Sequence, residues 1–134
     1  MKNLILIFAV FAFSLTILSF SGNKNSPIVI NPGDGTTFTI PTDVQAIIDK
    51  SCYGCHNSES SSTKGKMKLN FDKLPEMKVS KQVGKLMKIS KAVNNGKMPT
   101  EKFLDKYPDR ALTEDDVTKI TSWADGLASE LSGE

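Results

Sequence analysis

The apolar residues of this chain follow two patterns, one continuous and one periodic. Behind the short positive start Met1-Lys2-Asn3, Leu4 to Phe20 form an almost unbroken apolar run, interrupted by Ser14, Thr16 and Ser19. That is the grammar of an export signal, and the small residues Ser19 and Ser21 at the −3 and −1 positions place cleavage after Ser21. The alternative is an uncleaved membrane anchor over residues 4–20, because 17 apolar-rich residues sit at the lower limit for crossing a bilayer. Both readings export the remainder, with the periplasm as the expected destination. Gly22 to Thr36 is rich in Asn, Gly, Ser and Pro, and Asn31-Pro32-Gly33-Asp34-Gly35 reads as turns. The expected organisation is a signal or anchor over 1–21, a flexible tether over 22–41 and one domain over 42–134.

Within that domain the apolar positions recur at helical spacing. Thr42 with Gln45 three residues on reads as a capping box, and Val44, Ile47, Ile48 and Cys52 share one face. A short helix should deliver Cys52 to the core. Asn57 to Lys66, with four serines and Gly65, reads as a solvated loop, after which Met67, Leu69, Phe71 and Leu74 return apolar groups to the interior. Val79, Val83, Leu86, Ser90 and Val93 trace a second helix that stops at Gly96, with Lys78, Lys81, Lys85, Lys88 and Lys91 largely on its other faces. Thr113 caps a third, where Glu114, Asp115 and Asp116 suit the positive helix N-terminus. Val117, Ile120, Ala124, Leu127 and Leu131 form its buried side, flanked by Trp123. No period-two run of useful length occurs, so the predicted class is all-α.

Composition narrows the function. A chain of 134 residues leaves no room for a large multidomain enzyme, and 39% hydrophobic with 24% charged residues is ordinary globular usage. Two cysteines cannot build a dense disulfide framework or a four-thiolate zinc site. Charge is unevenly placed. Lys64 to Lys102 holds eleven Lys against Asp72, Glu76 and Glu101, whereas Phe103 to Glu134 holds three basic and eight acidic residues. The domain should be a strong dipole.

The spacing of the two cysteines carries the chemistry. Cys52-Tyr53-Gly54-Cys55-His56 is the C-x-x-C-H pattern of c-type haem attachment, and the only His of the chain follows its only two Cys. Two intervening residues let both sulfurs reach the two vinyl groups along one porphyrin edge, and His56 then falls beneath the ring as the proximal iron ligand. A plain disulfide or a pair of buried thiols is the bland alternative. A thioredoxin-like dithiol would need a βαβ pattern that is not found, and a zinc site would need a further donor from the acidic residues.

A sixth ligand must come from elsewhere, and a soft thioether suits the iron. Candidates are Met67, Met77, Met87 and Met98. Met87 reads as core filler beside Leu86, while Met67 and Met77 lie in less regular sequence. Met98 sits between the helix stop at Gly96 and Pro99, in a loop able to hold a side chain in a fixed place. It is the preferred distal ligand; plain loop packing is the main alternative reading of Met98, with Lys97 or an open iron site as lesser rivals.

These residues, together with Lys68-Leu69-Asn70-Phe71, Gly96-Lys97-Met98-Pro99, Phe103-Leu104, Tyr107-Pro108 and Leu112-Thr113-Glu114, resemble the bacterial haem-binding-domain family of small cytochrome c-like proteins. The resemblance covers Pro41 to about Leu131. It implies a class I cytochrome c-like helical domain around one covalent haem c and its iron, held at Cys52, Cys55 and His56 with Met98 distal. Many members carry tryptophan-rich sequence before the Met loop, which this chain lacks. The haem would supply apolar volume that so short a domain is short of, and the helices bearing Cys52 and Glu114 should cross beside it. The expected function is an exported single-haem electron carrier and not an enzyme. The alternatives are a haem-based sensor with a displaceable distal ligand and a haem-free thiol-disulfide oxidoreductase. Lys81, Lys85, Lys88 and Lys97 could ring the haem edge and steer an acidic redox partner, or simply be a solvated face. Nucleic acid is a poor partner for an exported chain with few aromatics in its basic stretch.

Overall fold

A computed structural model describes residues 38–133. The export signal expected over 1–21 and most of the tether expected over 22–41 lie outside the described residues. Among those described, five α-helices and two short 3-10 turns alternate with loops, and there is no strand. The all-α class read from the apolar spacing is the class of the fold.

Helix α1 spans Thr42–Ser51 and buries Val44, Ile47 and Ile48, the face expected from the sequence. The Thr42–Gln45 capping box does not form. Pro41 occupies the N-cap at φ −56° and ψ 144°, no side chain caps the helix, and Gln45 donates instead to Asp49 Oδ1 at 2.7 Å. Proline already holds the φ that turns the chain into the helix, so Thr42 becomes the first helical residue. The core also includes residues ahead of Pro41. Phe38, inside the segment read as tether, is buried and lies 6.3 Å from the Trp123 ring centroid to centroid, with Ile40 packed against the same core.

Helix α3, Val79–Asn94, and helix α5, Glu114–Ser132, make the most extensive helix pairing of the fold. Leu86, Ile89 and Val93 of α3 and Ile120, Ala124, Leu127 and Ala128 of α5 belong to one buried core. Ser90 Oγ donates to Asp125 Oδ2 across this pairing at 2.9 Å. The stripe expected on α3 is shifted: Val79 and Val83 are half-buried, while Ile89 and the amide of Gln82 are inside. Gln82 is accommodated because its Nε2 donates to Pro75 O at 2.8 Å, in the 3-10 turn Leu74–Glu76 that precedes the helix.

Helix α5 begins as the sequence predicts. Thr113 Oγ1 accepts from Asp116 N at 3.1 Å and Asp116 Oδ2 accepts from Thr113 N at 3.0 Å, a reciprocal box. The same Asp116 Oδ2 accepts from Lys50 Nζ at 2.7 Å, which fastens the end of α1 to the start of α5. Helix α4, Glu101–Leu104, and the 3-10 turn Pro108–Arg110 complete the connection between α3 and α5.

The segment between α1 and α3 is more ordered than its serine content suggests. Residues 63–68 form helix α2, Thr63–Lys68, with Ser62 as N-cap accepting from Gly65 N at 3.2 Å. Ser60 is buried, donating to Gly54 O at 3.1 Å and accepting from Ser62 N at 3.1 Å. Ser60 and Ser62, read as loop solvation, are a turn tie and a cap, the other use to which short hydroxyl side chains are put. Phe71 and Leu74 return to the core as expected, but Met67 does not: it is 76% exposed on α2.

Candidate functional site

The Cys52–His56 segment is a tight turn grown from the end of α1. Cys52 N bonds Ile48 O at 2.8 Å, Cys55 N bonds Cys52 O at 3.1 Å, and His56 N reaches Cys52 O at 3.2 Å and Tyr53 O at 3.1 Å. One carboxylate closes the turn from outside. Asp72 accepts from the Tyr53 hydroxyl at 2.5 Å and from Ser58 N at 2.8 Å, which holds its carboxyl below the usual carboxylate range and raises the Tyr53 phenol. On the inner side Phe71 N donates to His56 O at 2.9 Å, and the Phe71 ring meets the imidazole edge-on at 88° and 6.5 Å. Ser51 Oγ donates to Arg110 O at 2.8 Å and pins the chain before α5 to the same end of α1.

These ties leave both cysteines and the imidazole facing one cavity of about 800 Å³, near the upper end of the range for cofactor pockets. Cys52, Cys55 and His56 line it, and both cysteines are free thiols. Burial, and secondarily the neighbouring Cys55, push the Cys52 thiol up to about 12. That is the opposite of the depressed value that activates a redox dithiol. The remaining lining is largely apolar: Leu69 and Phe71 on one side, and Ile89, Ala92, Val93, Pro99 and Phe103 from α3, the loop after it and α4.

His56 is only 9% exposed, and its ring is held by its inner nitrogen. Nδ1 lies 3.0 Å from Gly65 O and 3.1 Å from Leu69 O, so as the N–H tautomer it donates to both carbonyls. The Nε2 lone pair is thereby left for a metal, the arrangement that orients a ligating histidine.

The four methionines separate by place. Met98 lines the cavity, in the loop that begins at Gly96 with φ +62°, where a left-handed backbone favours glycine. Met77 packs against the core, while Met67 and Met87 are 76% and 60% exposed. Met87, read as core filler, points outward because Leu86 and Ile89 take the buried side of its helix. The lysines also separate. Lys85, Lys88 and Lys97 line the cavity, but Lys81 does not, one turn too early on α3. Lys64 and Lys68 of α2 line it in its place.

The cavity suits the group that the resemblance implies. Its lining includes two thiols, an imidazole held through Nδ1, a thioether, apolar walls for a macrocycle and lysines for its carboxylates. Gly65 and Ile89 carried no motif, and Leu69 and Phe103, though part of the family pattern, were not read as cavity walls. The short apolar return at Leu69 and Phe71 was the available signal for one wall, and Gly65 inside a serine-rich stretch was a signal read as loop.

Comparison with protein families gives a match to the model described as "Haem-binding domain", over residues 60–126. The match holds α2, α3, the Met98 loop, α4 and most of α5, and begins just after the Cys52–His56 turn. Comparisons with curated proteins and with solved structures gave no match.

Proposed function

This chain belongs to the haem-binding-domain family, and from that premise we propose that it is an exported single-haem c-type cytochrome that transfers electrons. The observation that carries the reading is the cavity itself, which brings Cys52, Cys55, His56 and Met98 to one apolar space. Thioether bonds from the two sulfurs would hold haem c. His56, through Nε2, and Met98, through its sulfur, would hold its iron. When bound, the group supplies a one-electron couple between ferric and ferrous iron.

The chain's own residues do the rest. The carbonyls of Gly65 and Leu69 keep the imidazole in one tautomer and one orientation. Leu69, Phe71, Ile89 and Val93 exclude water, which favours the less charged reduced centre. Lys64, Lys68, Lys85, Lys88 and Lys97 place positive charge around the cavity and would draw an acidic redox partner. No substrate bond is made or broken in this role, so the protein is not an enzyme. The apolar run of residues 4–20 supports a periplasmic location, with a cleaved signal or a retained anchor.

The test is attachment. Protein exported in a host with haem-attachment machinery, denatured and extracted with acidified organic solvent, should keep its colour on the chain. Cys52→Ala or Cys55→Ala should weaken that retention, and His56→Ala should disturb the iron spectrum more than the fold. Colour that leaves with the solvent sinks covalent attachment. Carbon monoxide binding to the reduced wild type at neutral pH would favour a ligand sensor over an electron carrier.

A further inference from the structure

We propose that Gly65 is a positioning residue for His56: lacking a side chain, it lets α2 seat against the Cys55 carbonyl, and its own carbonyl there holds the imidazole. The inference rests on His56 as the iron ligand.

Helix α2 is not held in place by apolar packing, although Lys85 Nζ of α3 donates to its Lys68 carbonyl. It is six residues long, none of them is buried, and Met67, its one large apolar side chain, is exposed. Hydrophobic burial therefore does not dock it. What it brings inward is backbone. Gly65 O accepts from Leu69 N at 3.0 Å within the helix end and from His56 Nδ1 at 3.0 Å, using both lone pairs of one carbonyl. Leu69 O, one residue past the helix, supplies the second contact to Nδ1 at 3.1 Å.

The seat is close enough to exclude a side chain. A Cβ at position 65 would lie 2.4 Å from Cys55 O and 3.2 Å from Cys55 C, both backbone atoms of the attachment turn. It would also lie 2.8 Å from Ser62 Oγ, the cap of the same helix. A hydroxyl can swing away; the Cys55 peptide is fixed by the turn on either side of it. Relief to ordinary contact requires α2 to back off by about 1 Å. A shift of that size takes the Gly65 carbonyl out of hydrogen-bond range of Nδ1. The imidazole would keep only Leu69 O as acceptor, and a ligand whose far N–H bond is weakened is a poorer donor to its metal.

Gly65→Ala in the haem-loaded protein should therefore raise the reduction potential, since a less basic imidazole stabilises ferric iron less. It should also speed solvent exchange of the His56 Nδ1 proton about fivefold or more, the loss of one ordinary hydrogen bond. That proton is identifiable because the chain holds one His. Ser62→Ala is the control: it removes the cap on Gly65 N without adding a Cβ at 65, and should lower the melting temperature while leaving potential and exchange at wild-type values. If Gly65→Ala likewise changes only the melting temperature, the proposal is overturned.

Should Gly65→Ala fail to fold or load, the wild type decides. Reduced holoprotein labelled with ¹⁵N-histidine and carbonyl-¹³C glycine should show a coupling across the hydrogen bond from Nδ1 to a glycine carbonyl. Its absence in haem-loaded protein overturns the positioning role alone, whereas protein that never takes up haem overturns this role and the proposed function together.

Discussion

Removing the Asp116 carboxylate should loosen the hold of α5 on α1, and the cost can be worked from three contacts. Asp116→Ala loses the bond from Thr113 N at 3.0 Å, which is half of a reciprocal cap, and the bond from Lys50 Nζ at 2.7 Å. It keeps the bond from Asp116 N to Thr113 Oγ1, because that one uses backbone. The lost half of the cap is worth about 1 kcal/mol. The ion pair is part-buried, with side-chain exposures of 37% for Lys50 and 17% for Asp116, and adds about 0.5–1 kcal/mol. The expected destabilisation is about 1.5–2 kcal/mol at neutral pH. Lys50 first, and then the Thr113 N–H, hold the Asp116 carboxyl below its ordinary value of 3.8. A depressed carboxylate contributes stability that is present above the unfolded value and lost as pH falls through the folded one. The gap between wild type and variant should thus be full at pH 7 and shrink as pH drops below about 4. Urea unfolding of both proteins at pH 7 and pH 3 measures it. A gap under about 0.5 kcal/mol at pH 7, or one that survives unchanged at pH 3, would refute the assignment of the tie to this carboxylate.

Phe38→Ala should cost about 3 kcal/mol in the same assay, because the ring is buried beside Trp123; a silent substitution would return Phe38 to the tether. Met98→Ala should abolish the methionine-to-iron charge-transfer band at the red edge of the oxidised spectrum and lower the reduction potential. Loss of that band on Met77→Ala instead would move the distal ligand to Met77. The rate of reduction by a negatively charged donor should fall as ionic strength rises, and Lys85→Glu with Lys88→Glu should lower it at low salt, whereas Lys81→Glu, off the cavity, should lower it less. Equal effects at all three lysines would reduce the pattern to overall charge.

The parts of the fold legible in the sequence are those governed by repeated, local signals. The faces of α1 and α5 follow from apolar spacing, and the start of α5 from Thr113 and the acidic residues behind it. The C-x-x-C-H spacing is legible without tertiary information, although Asp72, Phe71 and Gly65 hold the turn from outside it. What escaped reading depends on partners distant in the chain. Phe38 sits in polar, turn-rich sequence and is recruited by Trp123, which no local pattern announces. Thr42 and Gln45 match a capping box, but Pro41 had already taken the cap. Met67 follows the hydrophobic rhythm yet faces outward, since α2 contributes carbonyl groups instead of apolar surface. Gly65 looked like loop composition, and only the nearness of the Cys55 carbonyl shows why that position cannot bear a side chain.

Among the described residues, none of α5 lines the cavity, and Phe38 brings the chain into the fold against Trp123 on that helix. Phe38 is therefore seated on a helix that takes no part in the cavity. A handle fused ahead of Phe38, or a link from that end to an electrode or a bilayer, would leave the lysine-lined cavity face free to meet a partner. A handle placed on α2 would sit in its way.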